Sequence, residues 1–441
     1  MNQEAQAINQ LFGEHGVRCR VAPPPQSYQT SAVRVYMLER GQGVTVSKVT
    51  SLADELDEAL TSARQEPVHC RFDRLPLCLE VPRPDPKPLL VVEVLKRLHN
   101  GRQHLDLNHR LLSVVGEANN YAQADCILLD LINPNSPHAL IAGTTGSGKS
   151  NLLTAMAVST AVLHSPQEVA MIILDPKGID FPAFNRLPHL ACPVVTEPLA
   201  AVQTLAQVVA ELERRKREGV SGPRILVLID ELAELADVAG PQVESHIKRL
   251  LQVGRGLGIH VIGATQKPLA SVIGSLVKAN FPVRIVGKVA SVDDARVAAG
   301  VSGSGAERLP GKGAMLLLRA GETKRIQAYL LPPNHVEVNI ERIGNLWRGV
   351  ESPGWRLPAL TEEIAHIPVS TIAGPNHAQS YPEWLRDMVA EYVHEHGKPP
   401  SQKAVQRAYQ EETGQMLNWQ FIKSAIADGV AQVDDSRVTQ P

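Results

Sequence analysis

Aromatic side chains are scarce in this chain of 441 residues: Phe, Tyr and Trp together make up 4%. Stacking of bases on aromatic rings is therefore excluded as the main way of holding a nucleic acid. A charge of one sign is also missing. Lys+Arg number 44 against 46 Asp+Glu, a formal charge of −2. Bulk positive charge cannot hold a polyanion here, so any such contact has to be local. The five cysteines (Cys19, Cys70, Cys78, Cys126 and Cys192) form no CxxC pair and no metal-ligand spacing. Their odd number, without a secretory leader, fits reduced thiols in the cytoplasm. The first residues, MNQEAQAINQ, have neither the basic nor the apolar region of a signal peptide. No run approaches the ~18 consecutive apolar residues of a membrane span. The expectation is a soluble, cytoplasmic protein.

What is present is ordinary for a folded chain, 44% hydrophobic and 20% charged residues, which excludes wholesale disorder. At roughly 100–200 residues per domain the length suggests two to four domains. Residues 1–30 read as a helical or loose lead ending in Ala22-Pro23-Pro24-Pro25. Residues 31–104 read as a small α+β domain. SAVRVYMLERG alternates as a strand, Ser51 is placed to cap a helix over 52–64, and LPLCLEV runs into a proline-rich loop. From 105 to 352 short apolar runs alternate with helical stretches: HALIAG, VAMIILD, RILVLID, HVIGAT, VRIVGKV and AMLLL. That pattern predicts an α/β fold with a largely parallel sheet covered on both faces. Four prolines mark 353–380 as a linker, and 381–441 carries three helical stretches.

One segment carries a specific chemistry. Gly143-Thr144-Thr145-Gly146-Ser147-Gly148-Lys149-Ser150 satisfies G-x-x-x-x-G-K-[ST] between an apolar strand and a helix. Its glycines let backbone N–H groups face phosphate oxygens, and the following helix offers its N-terminal end to the same anion. Lys149 is placed for the β/γ-phosphates and Ser150 for Mg²⁺. RILVLIDE ends in Asp230 and Glu231, at the strand end where α/β sheets bind ligands. Asp230 fits the Mg²⁺ shell and Glu231 the polarising of an attacking water. The pair and the P-loop predict an NTP-hydrolysing domain.

Other residues leave alternatives open. Gln266 is either a sensor of the γ-phosphate or attacking water, or a polar strand terminus. Arg284, within an apolar strand, needs a structural carboxylate or a phosphate. Arg296 is either a surface helix residue or an arginine finger for a neighbouring subunit, with Arg255 a weaker candidate. His138, His189 and His260 show no ligand spacing and read as structural.

Taken in order, AGTTGSGKSN, ILDPKGIDF, LPHL, VAELERRKRE, VLIDELAEL, GIHVIGATQKP, KANFPVRIVGKVAS, DDAR and GAERLPGKGAML resemble the FtsK/SpoIIIE family of DNA-pumping ATPases. The likeness covers about residues 30–335, including the small domain before the motor. It implies a RecA-like P-loop NTPase that forms a ring, typically a hexamer, threads double-stranded DNA and hydrolyses ATP at subunit interfaces. It makes Lys149, Ser150, Asp230 and Glu231 the in-cis site and Gln266 the sensor. Asp175 and Lys177 match a second strand end, and Arg296 matches the trans-acting arginine, with Ala295 where the family has serine. The family's membrane-spanning N-terminal region has no counterpart in these residues, and GAML stands where the family has GDML. DNA contact is expected at pore loops, with Arg308 and Lys312 in one and Lys267 and Lys278 flanking another.

The C-terminal stretch 381–441 fits a helix-turn-helix or winged-helix unit. It holds six Lys/Arg against nine Asp/Glu, so a DNA-reading face and a protein-binding bundle remain alternatives. The sequence as a whole reads as an ATP-driven translocase of double-stranded DNA in chromosome, plasmid or mobile-element transfer. The alternative is a secretion or conjugation coupling motor of the same superfamily.

Overall fold

The computed structural model describes residues 3–23, 27–29, 33–74, 77–85, 88–100, 107, 109–119, 124–239, 241–266, 281–350, 353–358, 383–396, 399–413 and 425–426. The chain divides into two compact units, Met1–Pro358 and Ala359–Pro441.

The first unit opens with α1 (Gln3–Glu14), β1 (Cys19–Val21), β2 (Tyr28–Gln29), β3 (Val33–Arg40), α2 (Val46–Thr50), α3 (Ala53–Arg64), β4 (Arg71–Arg74) and β5 (Leu77–Pro82). The strands form an antiparallel sheet, order β1-β3-β5-β4, with β2 on β3. The residues read as a lead belong to this core: α1 buries Ala5, Ile8, Leu11 and Phe12 at helical spacing beside Leu56, Leu60, Leu79 and Val81. A buried ionic cluster fixes α1 in place. Glu4 accepts from Arg34 at 2.7 Å, Arg64 at 2.6 Å and the Tyr36 hydroxyl at 2.5 Å. Burial works against that carboxylate, yet these three donors hold its pKa below the ordinary value. Ser51 does not cap α3. Its hydroxyl donates to the Lys48 carbonyl at the end of α2, and Thr45 caps α2 instead.

The chain continues through α4 (Val91–Asn100), β6 (Leu112–Asn119), β7 (Ala124–Asp130), β8 (His138–Ala142), α5 (Lys149–Leu163), β9 (Val169–Leu174), α6 (Pro198–Glu218), β10 (Arg224–Ile229), α7 (Leu232–Ala239), α8 (Pro241–Val253) and β11 (Ile259–Thr265). It closes with β12 (Val283–Val286), a helix Val292–Ala299, β13 (Ala314–Arg319), β14 (Glu322–Ala328) and a helix Pro333–Leu346. These strands build one nine-stranded sheet, order β7-β6-β14-β13-β12-β8-β11-β10-β9.

The sheet is mixed. The five strands β12, β8, β11, β10 and β9 are parallel, whereas β13, β14, β6 and β7 extend it in antiparallel pairing. The parallel half is where the continuous apolar runs lie, and every residue of β8, β9 and β11 is buried. In the antiparallel half, β6 carries an irregularity between Val114 and Gly116. A Cβ on Gly116 would stand 2.4 Å from the Gln327 carbonyl oxygen, so the close approach of β14 requires glycine. A buried Arg325–Glu80 pair at 2.7 Å joins this half to the smaller sheet.

The reading of 353–380 as linker is corrected at its start. Gly354 N–H donates to Pro166 O at 2.9 Å and Leu357 N–H to Ala191 O at 3.1 Å, while Trp355 and Leu357 pack on the core. Residues 359–382 lie outside the described residues. In the second unit, helices Glu383–His396 and Gln402–Thr413 share a core of Leu385, Val389, Val393, Val405, Tyr409 and Ala425. The third helix expected for a helix-turn-helix lies outside the described residues apart from 425–426. Among the described residues no helix is long and apolar enough to cross a membrane.

The three histidines read as structural are all buried. Val261 N–H donates to His138 Nδ1 at 3.1 Å, a His260 ring nitrogen faces Pro137 O at 3.1 Å and one of His189 faces His164 O at 2.8 Å. Burial pushes their pKa values down, to about 3 for His138 and about 4 for His189 and His260. An unfolded chain, with histidine near 6.5, takes up protons that the fold refuses. Stability is therefore complete above pH ~6.5 and falls as pH drops toward 4, by up to about 1.4 kcal/mol per unit for each histidine. Urea midpoints at pH 7 and pH 5 test this. A lower midpoint at pH 5 is expected, and equal midpoints contradict it.

Candidate functional site

The P-loop joins β8 to α5 at the carboxyl end of the parallel strands, where such sheets present a ligand crevice. Gly148 precedes α5 with φ +97°, a conformation only glycine adopts without strain. A Cβ there would stand 2.9 Å from Gly313 N. The loop is braced by its neighbours. Thr144 N–H and Oγ1 both donate to Lys288 O beyond β12, at 2.8 and 3.0 Å, and Gly143 N–H donates to Thr265 O of β11 at 3.1 Å.

Strand β11 lies between β8 and β10, so three strand ends converge on the loop. Lys149, at the first position of α5, is buried. Its ammonium donates to Asp230 O at 3.3 Å and lies 3.6 Å from Asp230 Oδ1. Ser150 Oγ is 3.5 Å from the same oxygen. Burial pushes the Asp230 carboxyl above the ordinary carboxylate range. Lys149 opposes this, Asp180 and Asp175 add to it, and Lys177 opposes it. Asp230 Oδ2 and Ser147 Oγ are buried without a hydrogen-bond partner. An unpartnered carboxylate oxygen near a serine hydroxyl is a hard-oxygen donor set of the kind Mg²⁺ takes, so these residues fit that ion.

Glu231 is only 4% exposed and is held by three donors. Thr265 Oγ1 donates to its Oε1 at 2.8 Å. Gln266 N–H reaches Oε1 at 3.0 Å and Oε2 at 3.1 Å, and Lys177 Nζ lies 3.3 Å from Oε2. The Gln266 side chain accepts from Thr145 Oγ1 of the P-loop at 3.1 Å. Asp175 shapes the loop that carries Lys177. Its carboxylate accepts from the N–H groups of Gly178 and Asp180 at 3.1 Å and Phe181 at 3.3 Å.

The structure thus brings together Lys149, Ser150, Asp230, Glu231 and Gln266, with Asp175 and Lys177 beside them. Arg284 faces elsewhere. Its guanidinium packs where a Cβ on Gly300 would clash, at the end of the helix Val292–Ala299. Arg296 stands on that helix, 61% exposed, in an open pair with Asp293 at 3.2 Å. Arg255 is exposed in the 3₁₀ turn Gly254–Leu257. Arg308 is exposed, 3.8 Å from Glu307. Lys267 and Lys278 lie outside the described residues.

Sequence reasoning missed one element at this site. Lys312 reads as a basic loop residue, but its main chain lies on the P-loop. Lys312 N–H donates to Gly146 O at 3.0 Å and Gly313 N–H to Ser147 O at 2.9 Å. The signal was present as two glycines around one residue, Gly311 at φ +82° and Gly313 at φ +86°. The other side of this loop lines a cleft of about 280 Å³ with Arg64, Arg83 and Arg325.

Residues 122–218 and 216–270 match the FtsK/SpoIIIE family. The DNA translocase FtsK of Sporosarcina ureae is 36% identical over 365 residues, covering 76% of this chain and 44% of that protein. The DNA translocase SpoIIIE of Bacillus subtilis (strain 168) is 34% identical over 370 residues, covering 77% and 45%. The chain thus spans less than half the length of these curated relatives. Among solved structures, the pCW3 conjugation coupling protein TcpA with ATPγS matches with TM-score 0.50 at 21% identity, over 78% of this chain and 99% of that one. That likeness concerns the fold alone.

Proposed function

Through residues 122–270 this chain belongs to the FtsK/SpoIIIE family, and on that premise we propose that it is an ATP-driven translocase of double-stranded DNA, acting as a ring, typically of six copies, in the cytoplasm. The observation that carries the reading is the meeting of Lys149, Asp230 and Glu231 at one end of the sheet, in a chain similar over most of its length to proteins named DNA translocases.

In this reading residues 105–352 are the motor. The P-loop wraps the phosphates of ATP, and Lys149 neutralises charge on the β/γ-phosphates. Ser150 and Asp230 would hold Mg²⁺, which when bound offsets charge on the phosphoryl oxygens. Glu231 orients the attacking water and accepts its proton. Gln266, bonded to Thr145 and through its N–H to Glu231, links the state of the P-loop to the base. Arg296 serves the site of the next copy. Arg308 and Lys312, with Lys267 and Lys278, supply local phosphate contacts for DNA, as the near-zero net charge requires. The C-terminal unit serves a further DNA or protein contact.

The deciding measurement is ATP turnover with and without duplex DNA across a salt series. Stimulation by duplex DNA that weakens as salt rises is expected. Turnover indifferent to DNA at every salt concentration contradicts the reading.

A further inference from the structure

We infer that Lys177 is a latch that holds Glu231 out of use, so that the hydrolytic site described here rests in a restrained state. The inference builds on the proposed ATPase reading and adds to it a regulatory residue.

A carboxylate that activates water must turn one oxygen toward that water, free of a competing donor. In Glu231 three donors hold both oxygens. Thr265 Oγ1 donates to Oε1, Lys177 Nζ to Oε2, and the one Gln266 N–H is shared between them. Thr265 is wholly buried in β11, and the Gln266 N–H is set by the end of the same strand. Neither can leave without disturbing the sheet.

Lys177 differs. Its side chain is 27% exposed and belongs to the loop after β9 rather than to the sheet. That loop is wound as one piece around Asp175. Ile179, two residues on, is 73% exposed, a large apolar side chain at the surface. Displacement of the loop therefore withdraws the ammonium from Oε2 and leaves the other donors in place. It frees the side of Oε2 that Lys177 held, on a carboxylate whose orientation is already fixed. Lys177 is a positioning residue in this scheme, acting on Glu231 and not on ATP.

The test uses the full chain and follows ATP turnover with and without saturating duplex DNA, together with direct binding of a fluorescent ATP analogue. Lys177→Ala is expected to raise the DNA-free kcat about tenfold. KM and analogue affinity stay unchanged, and stimulation by DNA shrinks by the same factor. Lys177→Arg, which keeps the charge, is expected to restore parent behaviour. The double variant Lys177→Ala/Glu231→Gln is expected to lose the added turnover.

A DNA-free kcat in Lys177→Ala that is unchanged or lower overturns the latch. So does added turnover that survives Glu231→Gln. Failure of the underlying reading looks different: the parent's turnover is then indifferent to duplex DNA, while the comparison of Lys177→Ala with parent is still decided by the DNA-free rates.

Discussion

Glu231→Gln lowers ATP turnover by about 10²–10⁴-fold, the range lost when a positioned general base is removed, and leaves ATP affinity close to that of the parent. The amide keeps the length of the side chain but cannot take a proton. Its oxygen can still accept from Thr265 Oγ1 and the Gln266 N–H, so the strand ends stay in register. Its NH₂ then faces Lys177, which has only donors, and that ammonium turns outward. Lys149, Ser150 and Asp230 are untouched, and with them the contacts that bind nucleotide. Steady-state kcat and equilibrium binding of an ATP analogue separate the two effects. Normal turnover in this variant removes Glu231 from the role of base. Loss of binding alongside turnover marks it as structural.

Arg296→Ala is the second large effect. In a preparation of one variant, turnover is expected to fall about 10³-fold or more, as for a trans-acting arginine at a phosphoryl-transfer site. The structure makes this variant clean to interpret. Arg296 is exposed and its pair with Asp293 is open to solvent, an arrangement that contributes little to folding. Mixing with Lys149→Ala is the discriminating measurement. At an interface where the Arg296→Ala copy supplies Lys149 and the Lys149→Ala copy supplies Arg296, both halves are intact. Turnover is expected to peak at intermediate mixing ratios. No recovery at any ratio would falsify action in trans. Arg284→Ala offers no such clarity, because that side chain packs against Gly300 inside the fold.

The parallel half of the sheet and its site were legible in the sequence for a physical reason. Strands buried on both faces must be apolar throughout, and polar residues at their ends then stand out: Lys149, Asp230, Glu231 and Gln266 each follow such a run closely. The antiparallel half was not legible. Residues 112–119 lack clean alternation because the ladder is irregular at Val114 and Gly116, and β14 is largely polar, with its first residues exposed. The helical or loose lead expected over residues 1–30 is a helix, α1, and its place in the core is carried only by the spacing of Ala5, Ile8 and Phe12. The contact of Lys312 with Gly146 is made through main-chain atoms. Side-chain patterns do not encode such contacts. Glu231 is recognisable as a base, but its bonding to Thr265, Gln266 and Lys177 depends on three strand ends meeting.

The pairing of β6 with β14 bears on how the molecule is made. Ala118 bonds opposite Ile326, about two hundred residues later in the chain. During synthesis β6 can pair early with β7, its neighbour in sequence. Its other edge waits for nearly the whole first unit to emerge, and such distant pairing is slow to form. Until β14 arrives, the β6–β7 hairpin presents an open row of N–H and C=O groups, a surface on which other strands can add. The nascent chain is therefore most exposed to misassociation over a long window, one that closes only when the last strand of the sheet has left the ribosome.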